Sequence, residues 1–139
     1  MDPRKVFLIE LHEIIKDYSE IRNQLVDPTE DNIIWDEFKL SKEEVNALKK
    51  YNFDDVALSA IEKTVRDTIL GAFHDAFALL DAVADPNIVE VDKTWLGLTL
   101  RERELNEEEE NEEEENEEFL HDEIYGAYWD WLEQRNKDK

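Results

Sequence analysis

Asp67, Gly71, His74, Ala78 and Asp81 follow one another at steps of four, three, four and three. On an α-helix those steps bring all five to one face. Imidazole and carboxylate groups within reach of each other hold a divalent cation, or act as a base and the group that orients it. A second pair, His121-Asp122, lies further along the chain. If the two helices pack antiparallel, His74 and His121 approach one another. With Asp75, Asp81 or Asp122 they would make a divalent-metal site on a helical bundle. His74, Asp81, His121 and Asp122 are therefore the candidate metal ligands, and Gly71 and Ala78 would let another backbone come close. The competing reading is structural. Each His-Asp pair is only a dipeptide, and neighbours on a helix point about 100° apart. A buried histidine more often satisfies a carbonyl or a carboxylate, and the spacing favours that use over a metal.

Carboxylates are the other chemistry on offer. Glu10, Glu13, Asp17 and Glu20 recur at three- and four-residue steps near the N-terminus. They would form a fixed acidic surface on one helix, and they are also what an ordinary solvated face looks like. Residues 102–118 hold twelve glutamates and one arginine, half of the chain's net charge of −22. The tract repeats every five residues, which advances a helix about 140° beyond a full turn and favours no face. Like charges four apart also weaken a helix. A mobile acidic loop or insertion is the expectation, with weak cation binding rather than a dedicated calcium site.

Other chemistries find little support. Ser19, Ser41 and Ser59 sit in helical or capping contexts, with no Gly-x-Ser-x-Gly elbow and no cysteine. With only three glycines, no phosphate-cradling loop can be assembled.

The elements that must carry these groups are mostly helices. Asp2 as N-cap and Pro3 in the first turn open a helix over residues 3–25. Its stripe of Val6, Phe7, Leu11, Ile14, Ile15, Tyr18, Ile21 and Leu25 keeps helical spacing. Ser41 and Glu44 form a capping box for a short helix to about residue 51. The longest helix spans about residues 54–84, and Asp85-Pro86 breaks it. Residues 88–91 and the segment from Trp95 to Leu100, with Leu96, Leu98 and Leu100 alternating, could pair as a short β-hairpin. A last helix over residues 117–134 carries Ile124, Tyr125, Tyr128, Trp129, Trp131 and Leu132. That stripe is read as core, with a tryptophan left at the rim. Trp129 and Trp131 are candidate partner anchors, because tryptophan and tyrosine dominate interface hot spots.

The expected architecture is a mainly α, single-domain bundle of three to four helices over residues 1–139, with 102–118 as its acidic insertion. The chain's 139 residues, 41% apolar with fourteen aromatics, suffice for a core. Without cysteine, a reducing cytoplasm is the simplest location. Strong negative charge argues against direct contact with nucleic acid or an anionic membrane. No apolar run reaches the length of a membrane span. The leading functional expectation is a non-enzymatic acidic interaction protein, monomer or homodimer, that masks a basic protein surface. Immunity proteins, inhibitors and DNA mimics work by the same electrostatic logic. The alternatives are a metal-dependent helical-bundle hydrolase or metal-binding protein using His74 and His121, and an accessory protein whose charge serves solubility. No cofactor other than a divalent metal is suggested.

Overall fold

The computed structural model describes residues 2–104 and 119–137. Most of the glutamate tract, and with it the expectation of a mobile loop, lies outside the described residues. The fold is mainly helical: α1 (Pro3–Ser19), α2 (Arg22–Val26), α3 (Lys42–Lys49), α4 (Asp55–Leu80) and α5 (Leu120–Lys137), with 3-10 turns at Glu30–Asn32 and Asp36–Phe38. The chain divides into two compact units, Met1–Asp75 and Ala76–Lys139.

Local signals set the starts of the helices. The Asp2 carboxylate accepts from the Arg4 amide at 3.2 Å, and Pro3 occupies the first helical position. It lacks the N–H that would otherwise need a partner there. The capping box is present in both directions, Glu44 N to Ser41 Oγ at 3.1 Å and Ser41 N to Glu44 Oε2 at 2.7 Å. The Asp54 carboxylate likewise takes the Ala57 amide at 2.7 Å as α4 begins.

In the first unit, α1 stops at Ser19 rather than continuing to residue 25. The Ser19 hydroxyl donates to the Lys16 carbonyl at 2.7 Å, and its oxygen accepts from Arg66 Nε at 3.1 Å. Such back-bonding competes with the regular ladder. The Ile21 amide turns to the Ser19 carbonyl at 2.9 Å, and α2 starts on a new axis. Leu11, Ile15, Val45 and Leu58 are the buried apolar side chains, with Pro28 and Ser19 buried among them. Arg22 reaches Glu62 Oε1 with two nitrogens, at 2.8 and 3.0 Å. That contact holds the Glu62 carboxyl below its usual range, against the opposing effect of burial.

In the second unit no strand is present among the described residues, and the hairpin expected over residues 88–100 is replaced by a cap on α4. α4 ends at Leu80 in a turn whose left-handed residue is Ala82, at φ 57°. The Val83 amide reaches back to the Ala78 carbonyl at 2.9 Å and the Ala82 amide to the Leu79 carbonyl at 3.3 Å, a Schellman motif with alanine where glycine is usual. Two further carbonyl bonds come from residues 95–98. Trp95 Nε1 donates to the Leu79 carbonyl and the Leu98 amide to the Leu80 carbonyl, both at 2.8 Å. Gly97 at φ 77° makes this approach feasible, since a Cβ there would collide with the Leu80 carbonyl. The Leu98 amide thus serves a helix end and not a partner strand.

No side chain of α5 is fully buried: Tyr128 and Leu132 are half-buried, so the aromatic stripe is not the core expected of it. Ile124 is 66% exposed and Trp129 52%.

Candidate functional site

The histidines do not gather the expected ligands. His74 stands on α4, 80% exposed, with Nδ1 3.1 Å from Asp75 Oδ1, its neighbour in the chain. His121, in the first turn of α5, has Nε2 3.3 Å from Asp122 Oδ1, also in the open. Asp81 lies in the turn after α4. Among the described residues, no group of three or more histidine, aspartate or glutamate side chains is placed to hold a metal ion. A Cβ added to Gly71 would meet nothing within 4 Å among those residues, so no backbone exploits its small size. Two of the three serines are committed to structure, Ser19 in the α1 break and Ser41 in the capping box.

The acids of α1 are better organised. Helical spacing puts Glu10, Glu13, Asp17 and Glu20 on an arc opposite Leu11, Ile15 and Ser19, the side that is buried. One lysine stands among them. Lys16 Nζ lies 3.3 Å from Asp17, 3.4 Å from Glu13 and 3.4 Å from Glu20, all exposed. Asp17 first, then Glu20 and Glu13, hold the ammonium above its ordinary value. Surface pairs of this kind add little stability. Their effect here is to hold three carboxylates around one cation on a helix whose other side is anchored. Glu20 also borders an open polar cleft of about 510 Å³ beside α2, with Asn23, Asp27 and Asn32 in its lining.

A second surface follows from α5. Tyr128 meets Trp129 edge-on, with ring centroids 5.2 Å apart, and lies 5.5 Å from Trp131. Arginines cover two rings of this region: Arg135 lies 4.9 Å from the centroid of Trp131, and Arg103 4.9 Å from that of Phe119. Both are within the range of a cation–π contact. The helix carries Asp122 and Glu123 in its first turn and Arg135 and Lys137 in its last, each sign matched to the helix dipole. The arginine–ring contacts escaped the sequence reading. Arg135 four residues after Trp131 was the available signal, whereas Arg103 and Phe119 are too far apart in the chain to be paired by pattern.

No helix among the described residues is long and apolar enough to cross a membrane. Comparison with protein-family models, with curated proteins and with solved structures finds no match for this chain.

Proposed function

We propose that the chain is a non-enzymatic acidic binding protein that masks a basic surface on a protein partner, in the reducing cytoplasm that a cysteine-free chain suits. The observation that carries this reading is the acid face of α1: Glu10, Glu13, Asp17 and Glu20 stand exposed on the side of the helix opposite its buried residues. Carboxylates held on an anchored helix present a fixed pattern of negative charge. A basic partner meets that pattern without first ordering it, so the entropy of alignment is spent in folding and not in binding. The remaining charge of the chain, including the glutamates of 102–118, adds a long-range field that raises encounter rates whatever its arrangement. Immunity proteins, inhibitors and DNA mimics share this logic.

The test is affinity capture by the full chain at low and high salt, alongside a variant carrying E10Q, E13Q, D17N and E20Q. A basic protein retained at low salt by the native chain, released by salt and lost by the variant is the expected result. Equal retention by the two chains would overturn the reading. Metal analysis with H74A and H121A separates it from the metal-site alternative: on the binding-protein reading, neither metal content nor thermal stability in added zinc or magnesium changes.

A further inference from the structure

The aromatic face of α5 has a chemistry of its own, and its two arginine contacts show what kind of group it takes. Arg103 over Phe119 and Arg135 over Trp131 each place a guanidinium 4.9 Å from a ring centroid. Ring faces attract cations through their quadrupole, and arginine adds planar stacking. The chain has 16 lysines and arginines against 38 acids, so it cannot supply such groups widely from within. Trp129 keeps about half of its surface open, and Leu120 and Ile124 are exposed beside the rings. Helical spacing sends Glu123 and Asp130 away from the rings and sets Asp122 and Glu133 along the edge beside Trp129.

Charge selects the occupant. A second copy of this chain would bring another −22 to the interface. An anionic membrane would be repelled by the same net charge. A partner that presents arginines beside apolar side chains suits both the rings and the field. We propose that α5 is the docking helix for an arginine-rich, apolar segment of a partner protein, whose guanidinium groups stack on Trp129 and its neighbours as the chain's own arginines stack on Trp131 and Phe119. This rests on the reading that the partner is basic, but it assigns recognition to a surface other than the acid face of α1.

The experiment titrates the full chain with a synthetic amphipathic peptide of arginine and leucine and with its lysine counterpart, following tryptophan fluorescence and calorimetry. Three proteins are compared: the native chain, W129L/W131L, and the α1 variant E10Q/E13Q/D17N/E20Q. Leucine keeps apolar area and helix propensity while removing the ring face, and circular dichroism checks that helix content is retained. The expected result is that W129L/W131L weakens the arginine peptide by about tenfold, that the lysine peptide binds several-fold more weakly than the arginine peptide, and that the α1 variant stays within about threefold of native. Native-like binding by W129L/W131L overturns the docking helix. If the α1 variant alone then loses the peptide, the acid-face reading survives without it. If the peptide fails to bind the native chain at low salt, both readings fall.

Discussion

α1 and α5 are both helices with an apolar stripe and acids on the other side, and they end up in different situations. α1 has Leu11, Ile15 and Ser19 buried, and Arg66 is bound to its last residue. α5 is one residue longer and has no fully buried side chain, with Tyr128 and Leu132 half-buried. Isolated helices of this size are marginal in water, and most helical stability in proteins comes from a packed face. Local terms contribute to α5: charges matched to its dipole, ring–ring contacts and arginines over rings. The difference teaches that an amphipathic stripe states only that a helix needs cover, and not whether its own chain supplies it. The N-terminal helix uses its stripe to fix an acid face. The C-terminal helix leaves Leu120, Ile124 and Trp129 exposed.

The largest expected effect sets the two helices against each other. Ile15→Ala removes a side chain only 2% exposed and should cost about 3 kcal/mol in denaturant unfolding. Ile124→Ala on α5 should cost under about 1 kcal/mol, since its side chain is 66% exposed. Equal losses would erase the contrast. Next, Gly97→Ala puts a Cβ into the Leu80 carbonyl in a left-handed backbone and should cost about 2 kcal/mol. Amide exchange should locate the damage at the end of α4, leaving α1 as protected as before.

Acid should act on the first unit through Glu62. Its carboxyl is held low in the folded chain by Arg22, so its contribution is complete above the ordinary carboxylate range. That contribution is lost as pH falls through the depressed value. Arg22→Ala should flatten this part of the pH–stability curve measured by thermal unfolding. The smallest effect is a gain: Ala82→Gly relieves a left-handed alanine and should stabilise the end of α4 by about 0.5–1 kcal/mol.

How much of this could be read beforehand depends on the range of the cause. Asp2-Pro3 and the Ser41/Glu44 box announced their helices because capping is settled within four residues. The break after Ser19 was not legible, because the arginine that binds its hydroxyl is 47 residues away. The alternating leucines of 96–100 read as a strand, yet their pattern fits any extended segment. Gly97 was the clue, since a lone glycine in such a run often marks a close backbone approach. Helical spacing placed Glu10, Glu13 and Asp17 on one exposed face of α1, with Glu20 just past its end. The His74 and Asp81 column was equally regular and gathers no ligand set among the described residues, because periodicity reports a shared face and says nothing of what stands opposite it.

Amide hydrogen exchange of the full chain, alone and with the arginine–leucine peptide, tests the central claim most directly. The account predicts fast exchange across α5 in the free chain, slow exchange in α1 and the start of α4, and protection gained on α5 when the peptide binds. Exchange on α5 that is already as slow as on α1, or that the peptide leaves unchanged, would contradict it.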